Sequence, residues 1–167
     1  MRASRILTVV LSACLLWAVA PAIAGADVKS SYTTARTGTG VRTFSAVARA
    51  SRAGREVCDA YEAWRYGESL VGLRLWEYHQ RVRWCWNRRK LTYVKRRRWA
   101  EVEAPIWDFK GHIGVDREGG TGFRYFRGWT QGKFQACAGQ FGCWQTKTPW
   151  VEITVRRGGA ASYRTGG

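Results

Sequence analysis

Six residues of this chain combine a reactive or metal-ligating type with a spacing worth testing: Cys58, Cys85, Cys137, Cys143, His79 and His112. Four cysteines can hold zinc, but their spacings of 27, 52 and 6 contain no C-x-x-C pair. In an oxidising compartment an even set becomes two disulfides, with three possible connectivities. Cys137 and Cys143 flank the short stretch Ala138-Gly139-Gln140-Phe141-Gly142, so a local 137–143 bridge with 58–85 as its complement is the leading expectation. His112 stands near Asp108 and Asp116 and could form an acid–base couple with either. The plainer assignment puts Trp107, Phe109 and Ile113 in the core and leaves the polar residues at a strand end. Glu101 and Glu103 share a strand parity, about 7 Å apart, and two carboxylates can cleave a glycosidic bond. Arg96, Arg97 and Arg98 lie beside them, and salt-paired surface charge accounts for the same residues. The chain has no G-x-S-x-G and no glycine-rich phosphate loop. No catalytic residue, metal ligand or cofactor is assigned from the sequence.

A second cluster could bind rather than react. Arg88, Arg89, Lys90, Lys95, Arg96, Arg97 and Arg98 place seven positive charges within eleven residues, and Trp99 follows at once. On a strand, 95 and 97 point to one face and 96 and 98 to the other. Such a run protects an exposed strand edge from aggregation. It also attracts anionic polymers, phospholipid surfaces or, non-specifically, nucleic acid. These eight residues are the candidate binding set.

The N-terminus determines which residues stay in the working chain. Arg2 and Arg5 precede an apolar run from 6 to 20, and Ala22-Ile23-Ala24 fits an A-x-A cleavage site. A membrane span needs about 20 apolar residues, so residues 1–24 are expected to be a cleaved secretory signal, with no transmembrane span in the mature chain. Leu11-Ser12-Ala13-Cys14 also has the pattern of a lipoprotein box. The apolar run continues past Cys14, which favours plain secretion over lipid anchoring there. Cleavage leaves 26 Lys and Arg against 12 Asp and Glu, a formal charge of about +14.

The elements that would position these groups are strands. Along 71–86, Trp76, Tyr78, Val82, Trp84 and Trp86 share one parity, while Glu77, His79, Arg81 and Arg83 share the other. His79 is therefore expected on a solvated face. Asn87-Arg88-Arg89-Lys90 makes a turn, so 71–97 is predicted as a long hairpin. Further strands are expected at 99–103, 106–113, 123–130, 133–136, 144–146 and 150–156, with a glycine-bearing loop at 116–122 and a bend at Gln131-Gly132. Trp76, Trp84, Trp86 and Trp107 are assigned to the core, and Trp99, Trp129, Trp144 and Trp150 are left undetermined. The predicted fold is all-β: an antiparallel sandwich or barrel-like domain over 56–157 with two disulfides. A Ser-, Thr-, Ala-, Gly- and Arg-rich segment at 25–55 is expected to be flexible or weakly helical, and 158–167 a flexible tail.

Leu75-Trp76, Trp84-Cys85-Trp86-Asn87, Gln131-Gly132-Lys133-Phe134, Gly142-Cys143 and Pro149-Trp150-Val151 together resemble a group of small uncharacterised exported proteins of Actinobacteria, over about 70–156. The resemblance implies neither an activity nor functional residues. The functional expectation therefore rests on charge, tryptophan and export. It is a secreted, non-catalytic binding module for an anionic or carbohydrate surface of the cell envelope. A secreted interaction or inhibitor-like scaffold is the alternative, and a small secreted hydrolase follows behind both.

Overall fold

The computed structural model describes residues 32–51, 54–139 and 142–167. The signal segment 1–24, Cys14 and residues 25–31 lie outside the described residues. Among the described residues, nine antiparallel strands form two sheets. The first holds β1 (Arg36–Ser51), β2 (Gly54–Glu68), β3 (Arg74–Trp86) and β4 (Leu91–Val102) in sequential order. The second holds β5 (Trp107–Gly119), β6 (Tyr125–Cys137), β8 (Trp150–Arg156) and β9 (Ala161–Gly166), with β7 (Cys143–Lys147) also paired to β6.

The core lies between the sheets because strand alternation puts every second side chain there. From β3 come Trp76, Tyr78, Gln80, Val82 and Trp84, each at most 1% exposed. They meet Phe126, Thr130, Phe134 and Ala136 of β6 and Val151, Ile153 and Val155 of β8. Trp76 stacks on Phe134 with ring centres 5.1 Å apart. Tyr78 and Gln80, on the inner side of β3, make cross-sheet bonds. Gln80 Nε2 donates to the Gly128 carbonyl at 2.8 Å, and the Tyr78 hydroxyl meets Thr130 Oγ1 at 2.8 Å.

The all-β sandwich and both expected disulfides are present. Cys58–Cys85 joins directly opposed residues of β2 and β3, and Cys137–Cys143 closes the connection between β6 and β7. The hairpin turn at 87–90 also forms: Asn87 Oδ1 accepts from the N–H groups of Arg89 and Lys90 at 2.8 and 3.0 Å.

Several boundaries differ from expectation. Within the segment 25–55, β1 pairs along β2 from Arg36 to Ser51. Just before it, Thr34 Oγ1 accepts from the Trp76 indole and the Tyr32 carbonyl accepts from that of Trp107. Composition concealed this strand because most of its side chains are small and its order comes from pairing with a neighbour. The C-terminal tail contains β9, held on β8 from Ala161 to Gly166. The strand expected at 99–103 is the end of β4, which stops at Val102. Those expected at 123–130 and 133–136 merge in one β6 that starts at Tyr125, and β5 runs through Gly119 into the expected loop. Gln131-Gly132 does not bend β6, because the strand is paired on both edges there.

Candidate functional site on the outer face of the four-stranded sheet

Register decides what faces solvent on the first sheet. Partners across an antiparallel pair share a face, so the pairings stack the outward residues in rows from β1 to β4. One row is Gly38, Tyr66, Glu77 and Glu101. The next is Gly40, Trp64, His79 and Trp99, then Arg42, Glu62, Arg81 and Arg97, then Phe44, Ala60, Arg83 and Lys95.

The second row forms a three-ring stack. The imidazole of His79 lies between Trp64, 5.5 Å away at 18°, and Trp99, 4.7 Å away at 11°. Trp64 lies flat because β1 offers a glycine beneath it; a Cβ on Gly40 would come within 2.1 Å of the indole. Arg42 covers the Trp64 ring at 5.9 Å, a cation–π contact. Three carboxylates surround the imidazole. His79 Nε2 is 2.9 Å from Glu77 and 3.9 Å from Glu101, and Nδ1 is 3.4 Å from Glu62. His79 is thus 5% exposed and not the solvated residue its parity suggested. The flanking indoles remove it from water, and alternation along one strand cannot reveal a neighbour on another.

The third and fourth rows enclose a shallow depression of about 340 Å³, lined by Phe44, Ala60, Arg81, Arg83, Lys95 and Arg97. Arg81 lies over the Phe44 ring at 3.8 Å and pairs with Glu62 at 3.4 Å. Arg83, Lys95 and Arg97 have no ion-pair partner among the described residues. An apolar floor with three uncompensated cations gives this depression a positive potential.

The eight sequence-nominated binding residues fall in three places. Lys95, Arg97 and Trp99 lie on this face. Arg88, Arg89 and Lys90 occupy the hairpin turn at one end of the sandwich, where Arg157 Nη1 donates to the Arg88 carbonyl at 2.8 Å. Arg96 and Arg98 point between the sheets. Arg96 Nη1 donates to the Asp116 carbonyl at 2.9 Å, and burial, then the charges of Arg98 and Arg117, push its pKa down. The positive run is therefore not one patch.

The acid–base couple suggested for His112 does not form. His112 lies opposite Gly132 with its ring partly exposed and Nδ1 2.8 Å from the Tyr78 hydroxyl. Burial, then Arg98, lowers its pKa, which favours a neutral ring that accepts from Tyr78. Asp108 and Asp116 point the other way, to Lys110 and Arg127. Glu101 accepts from the Trp99 indole at 2.9 Å, while Glu103 lies past the end of β4.

The chain matches no protein-family model, no curated protein and no solved structure. Among the described residues, no helix is long and apolar enough to cross a membrane. The two disulfides fit an oxidising, extracellular environment. Trp64, Glu62, Phe44 and Arg42 entered no sequence-based candidate set. The available signal was the shared parity of Glu77, His79, Arg81 and Arg83, but the residues opposite them required the register.

Proposed function

We propose that this is an exported, non-catalytic binding module for an anionic, carbohydrate-bearing polymer of the cell envelope. The observation that carries the reading is the adjacency, on one sheet face, of the Trp64–His79–Trp99 stack and the depression bearing unpaired Arg83, Lys95 and Arg97. Flat indoles suit the apolar faces of sugar rings, and free cations suit phosphate or carboxylate groups along a chain. Export rests on the leader at 1–24 together with the two disulfides. The test is retention of the protein on cell-wall material, heparin and DNA across a salt series. The expected result is a salt-resistant fraction on the cell-wall polymer, with retention on DNA lost steadily as salt screens the charges. Absence of retention on every matrix overturns the proposal.

A second reading, an interaction scaffold, is favoured by one feature. The turn between β2 and β3 exposes Leu70, Val71 and Leu73 at 68%, 83% and 44%. A partner seated there would make binding sensitive to L70S/V71S and indifferent to salt.

A further inference from the structure

We propose that His79, Glu77 and Glu101 form a binding site for one divalent cation of the zinc type, with Glu62 supporting the imidazole from behind. One ligand atom from each of the three lies within 4.8 Å of the others. A tetrahedral ion bound at 2.0–2.2 Å needs donor atoms about 3.4 Å apart. The separations from Nε2, 2.9 Å to Glu77 Oε2 and 3.9 Å to Glu101 Oε1, bracket that value. A small movement of the two carboxylates would seat the ion.

The surroundings offer most of what a metal ligand requires. A ligating histidine commonly donates its other ring N–H to a carboxylate, which sets the tautomer and raises basicity. His79 Nδ1 faces Glu62 Oε1 at 3.4 Å, is buried and makes no hydrogen bond. The ring cannot swing away, because Trp64 and Trp99 hold it on both sides. Glu77 and Glu101 are directly opposed across β3 and β4, so their separation is set by the sheet. Arg74 engages Glu77 through Oε1, which leaves Oε2 turned toward the imidazole.

Charge points the same way. Arg74 and Arg81 pair with Glu77 and Glu62, but no arginine or lysine pairs with Glu101. Glu101 is thus a carboxylate that no arginine or lysine offsets, on a face otherwise rich in cations. A divalent ion at the rim compensates that charge. The side chain of Glu101 is 53% exposed, so the ion has a route from solvent and an open position on the solvent side. The site stands on other residues than the cation-lined depression, and its test is independent of polymer binding.

The experiment is calorimetric titration of the full chain with zinc chloride, repeated with cobalt chloride while following absorbance and tryptophan fluorescence. One saturable site is expected, with visible cobalt bands of low-symmetry coordination and quenching from Trp99, which touches the ligating ring. Glu101→Gln, at an exposed position where the amide oxygen can still accept from the Trp99 indole, is expected to weaken zinc at least tenfold, and Glu62→Gln to weaken it about tenfold. His112→Gln is expected to bind as the parent does. The proposal is overturned if no saturable binding occurs at millimolar zinc. It is equally overturned if Glu101→Gln binds as tightly as the parent, or if His112→Gln abolishes binding.

Discussion

The two outer faces of the sandwich are built from similar residues and differ in how charge is settled. On the second sheet, Arg127 pairs with Asp116 and Glu118, Lys110 with Asp108, and Arg164 with Glu152. On the first, the acids gather at one end around His79, and Arg83, Lys95 and Arg97 stay unpaired at the other. Both faces also lay an indole over a glycine: Trp64 over Gly40 on one, Trp129 over Gly114 and Trp150 over Gly166 on the other. Half-buried indoles over glycine are thus common to both faces. Separation of opposite charges is what the first face adds, and cations already neutralised within the fold offer little to an external anion.

Breaking the separation should have the largest effect. Replacing Arg83, Lys95 and Arg97 together by alanine is expected to weaken retention on an anionic glycopolymer about 100-fold, at about 1 kcal/mol per cation. Removing Arg127 and Arg164 from the other face should change it little, and equal losses would erase the contrast. The next effect concerns the rings. W99A is expected to lower affinity about tenfold, the scale of one stacked aromatic, whereas W129A should leave binding intact. Fluorescence or calorimetric titration against the same polymer measures both.

A smaller effect should follow from the glycines. Alanine at Gly40 must push the Trp64 ring aside, since its Cβ would sit 2.1 Å from ring atoms. Binding is expected to fall about threefold, within the range of one imperfect aromatic contact. G166A displaces Trp150 on the opposite sheet by the same geometry and is expected to spare binding. The smallest effect belongs to the space between the faces. Because the pKa of His112 is lowered on folding, the unfolded chain takes up that proton at the higher pH. Its stabilising contribution is full above about pH 6.5 and declines as pH falls below that value. The melting temperature of H112Q should therefore fall less steeply than the parent's between about pH 7 and about pH 5. Identical slopes would show that His112 titrates alike in both states.

Parts of this molecule were legible in its residue order for local reasons. The period-two pattern of 71–86 identified β3 and its buried side, because adjacent residues of a strand must take opposite faces. Asn87 marked its turn through the side-chain oxygen that accepts two backbone N–H groups. The spacing of Cys137 and Cys143 anticipated their bridge, and strand parity anticipated that 95 and 97 would part from 96 and 98. Strand β1 was hidden, since its small residues carry no apolar pattern and β2 supplies its order.

What the sequence by itself determined, then, was an all-β, disulfide-bonded chain with excess positive charge and a defined inner side to its central hairpin. Tertiary structure alone decided the site. His79 became a ring held between two indoles and three carboxylates only when β2 and β4 were laid beside β3 in one register. The same register split the arginine run among a turn, an interior and a face. Alternation assigns a side chain to a face, but its neighbours there come from strands distant in sequence, and a one-residue slip of either would exchange them all.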